Sequence, residues 1–276
     1  MYRKIFLLLC LLSVSLIYAH GSLTKRIKEK SIEIRKQPKN PKLYFERGYL
    51  YEQHEEFNKA IKDYSKSEKL GNSEAVLYYR KAQTYYHSGH FSKALKASNK
   101  ALVKDGLNVK LNKLQGEILI QLGAYQEALK YYRFFIENTV DTNPEDYIVY
   151  SSIFLGIDSS NYEKAIQILD AGLIKIGKGT FTLQLKKLKY LEASSQVNKV
   201  IEQYNYFILS AYRKEFWYYK KAKYLFENKK ILDCKIAIQQ AQTAIVLLPD
   251  KFKNTSGIKN LENEINKLKK ELSNEN

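Results

Sequence analysis

The feature that most constrains this chain is a spacing. Gly48, Ala82 and Gly116 follow one another at 34-residue steps; the same step relates Phe57, Phe91 and Tyr125, and again Ala60, Ala94 and Ala128. Columns that stay in register over successive copies require one supersecondary unit used repeatedly. The copies read "YFERGYLYEQHEEFNKAIKDYSKS", "YYRKAQTYYHSGHFSKALKASNKA" and "NKLQGEILIQLGAYQEALKYYRFF". In each, a turn separates the small residue from the aromatic, marked by Gly89 and Gly123 in the second and third copies. Apolar residues on both sides of it follow helical spacing, as in Phe91, Ala94 and Leu95, then Ala101 and Leu102. Each copy therefore reads as a helical hairpin. Gly48 and Ala60 lack bulk where two helix axes approach, and Phe57 fills the wedge beside that contact. One hairpin cannot bury both its faces, so hairpins must stack in a row.

On these residues the chain resembles the tetratricopeptide-repeat family, whose unit is 34 residues long. The small–aromatic series of that family is carried by Gly48, Tyr51, Phe57, Ala60 and Tyr64 in the first copy. Ala82, Tyr85, Gly89, Phe91, Ala94 and Ala101 carry it in the second, and Gly116, Gly123, Tyr125, Ala128 and Tyr132 in the third. The resemblance implies an all-α fold, a right-handed α-solenoid of helical hairpins with a capping helix at each end. Beyond residue 138, "DTNPED" breaks the helix, and Tyr162 and Ala165 stand 37 residues after Tyr125 and Ala128, as a three-residue insertion would produce. A fifth copy places Leu188 and Val200 where small residues are expected. A sixth is matched through Ala222, Ala241, Ala244 and Pro249, which demands a longer turn. The expected organisation is a capping helix at 23–38 and about six hairpins over 41–250, divided as 41–74, 75–108, 109–142, 146–179, 181–213 and 215–250. An amphipathic capping helix at 256–272 follows, with Ile258, Leu261, Ile265, Leu268 and Leu272 on one stripe. It reads as a cap rather than a coiled-coil arm, because three short heptads are marginal alone.

Composition narrows the setting. Four prolines and twelve glycines in 276 residues disfavour a many-turned β protein. The formal net charge is +17, carried by 39 lysines and 7 arginines. Lysine is a hydrated point charge without the bidentate fork of arginine, so the excess reads as solvated outer faces and nucleic acid is disfavoured. An electrostatic binder of an anionic surface or polymer stays as an alternative. The N-terminus, "MYRKIFLLLCLLSVSLIYAHGS", sets Arg3 and Lys4 before an apolar run from Ile5 to Ile17. That run is shorter than the ~20 residues a spanning helix needs. Residues 1–21 are read as a signal peptide cleaved after Ala19 or Gly21. The chain is thus expected to be exported, to a bacterial periplasm or beyond, with no membrane span after cleavage and as a monomer. Leu9 before Cys10 argues against a lipid anchor. Cys234, in "ILDCKIAIQQ", is then the lone cysteine, read as a small core residue.

No glycine-rich phosphate loop, nucleophile elbow or cysteine pair occurs, so no catalytic residue and no cofactor is expected, and the chain is read as a non-enzyme. His54, His87 and His90 fall in hairpin turns that would stack, which suggests a metal-binding alternative, although polar turn residues are the simpler reading. His20 would lead the chain if cleavage followed Ala19, and a terminal amine with an imidazole can hold copper. What stands out is tyrosine, with 23 copies. Some belong to the repeat core. By the repeat alignment the resemblance places others on an inner, concave face: Phe45, Tyr49, Tyr79, Gln83, Tyr86, Lys113, Glu117, Tyr150, Phe154 and Tyr219, with Lys189, Lys223 and Phe226 beside them. Phe45 and Tyr49, like Tyr150 and Phe154, are one helical step of four apart and lie side by side. Tyrosine offers large contact area at small rotamer loss; the competing reading is that these rings only pack repeats together. The family's carboxylate-clamping grooves need basic and amide side chains where Phe45 and Tyr49 stand here, and only Arg80 is a partial match. The expected function is a non-catalytic scaffold or adaptor in the cell envelope, holding a protein or peptide segment in an aromatic concave groove.

Overall fold

The computed structural model describes residues 23–274. The segment read as a signal peptide, and His20 with it, lies outside them. The described residues form helices and no strands, and the chain divides into two compact units between Thr142 and Asn143, inside "DTNPED".

The first unit holds α1 (23–36), α2 (Pro41–Gln53), α3 (Phe57–Lys69), α4 (Ala75–His87), α5 (Phe91–Lys104), α6 (Val109–Gln121) and α7 (Tyr125–Asn138). The second holds α8 (Pro144–Ile157), α9 (Tyr162–Ile176), α10 (Phe181–Ala193), α11 (Val197–Ser210), α12 (Glu215–Glu227), α13 (Ile231–Val246), the short α14 (Asp250–Lys253) and α15 (Ser256–Asn274). From α2 to α13 the helices pair as hairpins, and within each unit every hairpin packs on the next. Asparagines start several helices by accepting from a free amide: Asn40 from Lys42 N–H at 3.1 Å and Asn108 from Leu111 N–H at 3.1 Å. Asn143 and Asp146 form a reciprocal capping box ahead of the second unit.

Five of the six hairpin turns share one geometry, the turn between α8 and α9 being the exception. Glu55, Gly89, Gly123, Ser195 and Lys229 all take positive φ, between 55° and 74°. The residue after each donates its N–H back to the carbonyl five residues earlier, as in Glu56 to Tyr51 at 2.8 Å and Lys230 to Leu225 at 2.9 Å. Glycine takes that φ without a side-chain clash, whereas Glu55, Ser195 and Lys229 are held there by the helices on either side. This corrects the sixth hairpin: its turn is no longer than the others, because Lys229 occupies the position of Gly89 and Gly123. The small residue of its second helix is therefore Cys234, twelve residues after Ala222, as Ala60 is after Gly48. Cys234 is completely buried, and burial pushes its thiol up to about 11. Iodoacetamide at about pH 8 should leave it unmodified in the folded protein and label it fully in denaturant; rapid labelling under native conditions would refute the buried assignment.

Close helix approach depends on paired bulk and void. A Cβ on Gly48 would stand 2.8 Å from the Tyr64 ring, and one on Gly116 would stand 2.9 Å from the Tyr132 ring. In the fourth hairpin the arrangement is exchanged between helices: Tyr147 on the first helix fills the space left by Gly172 on the second, where a Cβ would meet it at 2.6 Å.

A polar ladder also ties successive repeats together. Arg47 donates to Ser31 Oγ at 3.0 Å, Gln115 to Asn99 at 2.8 Å and Lys221 to Asn205 at 2.8 Å, each reaching back sixteen residues to the preceding outer helix. Lys81 to Glu68 at 2.7 Å and Lys187 to Asp170 at 2.6 Å fill the same column with slightly shifted partners. By this contact α1 stands in for the second helix of a hairpin that precedes α2. At the other end the stripe Ile258, Leu261, Ile265, Leu268 and Leu272 is buried on α12 and α13, against Phe216, Tyr219 and Phe226.

Candidate functional site: an aromatic face on the first helices of unit 1

The first helices of the hairpins in unit 1 are α2, α4 and α6, and α4 touches both of the others. Their side chains share one surface. Phe45, Tyr49, Tyr79, Gln83, Tyr86, Lys113 and Glu117 are all half-buried, with ring or polar atoms still open to solvent.

At the centre is Arg80. Its guanidinium carbon lies 4.5 Å from the Tyr49 ring centroid and 5.8 Å from that of Tyr79. Its Nη1 donates to Gln83 Oε1 at 3.1 Å and reaches Glu52 Oε1 at 3.4 Å. The other oxygen of Glu52 accepts from the buried Tyr64 hydroxyl at 2.5 Å. Burial and this carboxylate together push the Tyr64 phenol far above its usual range, so it remains a donor at all ordinary pH. The core tyrosine thus anchors Glu52, Glu52 holds Arg80, and Arg80 spans the two outer rings. Neither the repeat spacing nor the aromatic pattern points to Glu52. The available clue to Arg80 is that arginine is rare in this chain and this one adjoins Tyr79.

Toward α6, Lys113 lies 4.0 Å from Glu117 and 5.0 Å from the Phe135 ring centroid. Burial raises the Tyr79 phenol, with Arg80 and Lys113 opposing it and Glu52 and Glu117 adding to it. Tyr86 is raised by burial and by Glu117, and lowered by a hydrogen bond with Gln121. Both phenols therefore stay neutral donors at neutral pH. The charges are balanced, two cations against two carboxylates, so the face combines aromatic area with orienting hydrogen bonds. It carries no arrangement of nucleophile and base.

The residues expected in unit 2 are placed differently. Tyr150 and Phe154 are each only 7% exposed, their rings packed at 5.6 Å between centroids. Tyr219 donates to Glu264 of α15 at 3.2 Å and sits against the terminal helix. The turn histidines have local polar or aromatic neighbours: His54 Nδ1 is 3.4 Å from Glu56, His87 stacks on Phe57 at 6.2 Å, and His90 Nδ1 is 3.1 Å from Ser88 Oγ. Among the described residues no group of three His, Cys, Asp or Glu side chains is placed to hold a metal ion, and no helix is long and apolar enough to cross a membrane.

Tetratricopeptide-repeat profiles match residues 41–70 and 79–138, the span that contains this face. No curated protein matches the chain. Among solved structures, the C-terminal part of a repeat protein from Cytophaga hutchinsonii is similar over 90% of this chain and 97% of that one, at 14% identity and a TM-score of 0.65. A tetratricopeptide-repeat protein from Parabacteroides merdae aligns over 89% and 93%, at 14% identity and a TM-score of 0.56. PilF of Pseudomonas aeruginosa aligns over 81% and 97%, at 15% identity and a TM-score of 0.51. At such identities the likeness is one of fold, the α-solenoid of stacked hairpins.

Proposed function

Because this chain is a tetratricopeptide-repeat protein, we propose that it acts as a non-catalytic scaffold, holding an extended segment of a partner protein across α2, α4 and α6. The observation that carries this reading is the Tyr49–Arg80–Tyr79 stack. Two half-open rings are held in place by a guanidinium that is itself tied to Glu52 and Gln83. Preformed aromatic surface of this kind needs little ordering when a partner arrives, which is where recognition surfaces concentrate their affinity. The charge balance around Arg80 favours a segment with an aromatic or aliphatic anchor and hydrogen-bonding neighbours over a uniformly acidic one. Surface lysines elsewhere would speed the encounter with acidic partners without setting the contact. The reading includes export to the cell envelope, supported by Arg3, Lys4 and the apolar run that follows them.

The test is recovery of partners from the producing cell's envelope after in-cell cross-linking. Tyr49→Ala with Tyr79→Ala should lower recovery by roughly thirty-fold or more, at hot-spot magnitudes, with far-ultraviolet dichroism unchanged. Raising the salt from about 50 to about 300 mM should change binding by less than about three-fold. Equal recovery by the double variant would refute the aromatic face. A steep fall with salt that ignores the tyrosines would favour the electrostatic alternative.

A further inference from the structure

Each second helix in unit 2 carries an exposed apolar side chain in its last turn. Ile174 and Leu209 lie in the last turns of α9 and α11, and Val246 and Leu247 are the last residue and the C-cap of α13. With Phe181 and Tyr212 in the same inter-repeat corners, these six residues are between 56 and 80% exposed. Single exposed apolar residues need no explanation. Here, however, Ile174 and Leu209 stand at equivalent positions, nine residues after Ala165 and Val200, and Val246 and Leu247 lie three and four residues further along in the sixth hairpin.

The corners adjoin one another. Phe181, at the first corner, has its ring 5.6 Å from Phe207 and 6.4 Å from Trp217, which flank the second. Tyr206 donates its hydroxyl to Lys178 O at 3.1 Å. Arg213, at the second corner, lies 5.1 Å from the Phe252 ring of the third. Phe207 and Trp217 stack at 4.1 Å and hold the backbone between them. These contacts link the three corners along one edge of unit 2, whose exposed apolar side chains form its tips.

Lysines interleave these tips. Lys175, Lys178, Lys214 and Lys251 are exposed and form no ion pair among the described residues, whereas Glu215 is engaged with Arg213 and Asp250 with Lys253. Lysine at a helix C-terminus complements the dipole there, which accounts for Lys175. It does not account for Lys214 and Lys251, which lie outside any last turn of the long helices, nor for the apolar tips.

We infer that this edge of unit 2 docks on an anionic lipid surface, with the apolar tips entering among the headgroups and the lysines meeting the phosphates. A protein partner needs a concave or flat apolar contact to exclude water. Separate protruding tips set between ammonium groups instead match an interface that is soft, apolar below and anionic above. The surface uses none of the residues of the aromatic face and stands independently of it.

The full chain should co-float with vesicles of phosphatidylcholine and phosphatidylglycerol at about 7:3, at least ten-fold more strongly than with phosphatidylcholine alone. The triple variant Lys175→Gln, Lys178→Gln, Lys214→Gln should lose roughly five-fold per lysine, about a hundred-fold in all. Leu209→Ser, Tyr212→Ser, Leu247→Ser should lose about ten-fold or more at unchanged melting temperature, because all three side chains are exposed. No preference for the anionic vesicles would overturn the inference. So would full binding by the serine variant together with equal binding of a single-stranded oligonucleotide, which would make the edge a general polyanion site.

Discussion

Asp63→Ala should lower the unfolding free energy of unit 1 by about 2–3 kcal/mol. Asp63 is 4% exposed and accepts two bonds from one guanidinium, from Arg47 Nε at 2.7 Å and Nη2 at 2.8 Å. The third nitrogen of Arg47 reaches Ser31 on α1, and the rings of Tyr44 and Tyr51 lie 5.9 and 5.8 Å from its guanidinium carbon. Alanine would leave that cation among aromatic walls with its carboxylate gone, and stranding the partner is what makes a buried pair costly to break. The side chain of Arg47 is 19% exposed, so water offsets part of the loss and the figure falls below the range for a fully buried pair. Because the same guanidinium ties α1, α2 and α3 together, hydrogen exchange should accelerate in all three helices. Asp63→Asn keeps an acceptor and should lose about half as much. A shift under about 0.5 kcal/mol for the alanine variant in urea unfolding would show that the pair contributes little.

Gly172→Val should destabilise unit 2 by about 2 kcal/mol through overpacking. The added Cβ would stand 2.6 Å from Cγ of Tyr147 and 2.9 Å from its Cβ, atoms at the root of the side chain that cannot swing aside unless α8 moves. The gain in helix propensity over glycine, a few tenths of a kcal/mol, is too small to offset this. Gly48→Ala is the informative comparison. Its Cβ would meet the Tyr64 ring at Cδ1 and Cε1, 2.8 Å away, where a tilt of the ring relieves part of the clash. That variant should lie within about 1 kcal/mol of the parent, since alanine also gains about that much propensity. If thermal melts ranked the two in the opposite order, bulk at Tyr147 would not be what limits the approach of α8 and α9.

The hairpins, their stacking and their terminal caps were legible because they rest on local requirements that leave a periodic trace. A small residue must recur wherever two axes meet, and apolar residues must recur on one helical stripe. The trace faded where a structural role was filled by an unexpected residue type. Lys229 takes the left-handed turn position that glycine marks elsewhere, which hid the register of the sixth hairpin and with it the place of Cys234. Likewise Tyr147 and Gly172 exchange bulk and void between helices, so the fourth hairpin keeps the close approach without the usual glycine on its first helix.

The sequence by itself determined the repeat unit and its all-helical character, since these follow from spacing along one chain. Only the tertiary structure decided which of the tyrosine and phenylalanine rings on the first helices stay open. Tyrosine serves equally as a wall of the core or as a contact surface, and its exposure depends on the bulk of residues one repeat away. Tyr49 and Tyr79 remain half-open beside Arg80, whereas Tyr150 and Phe154 are closed over, and no pattern within a single helix separates the two outcomes.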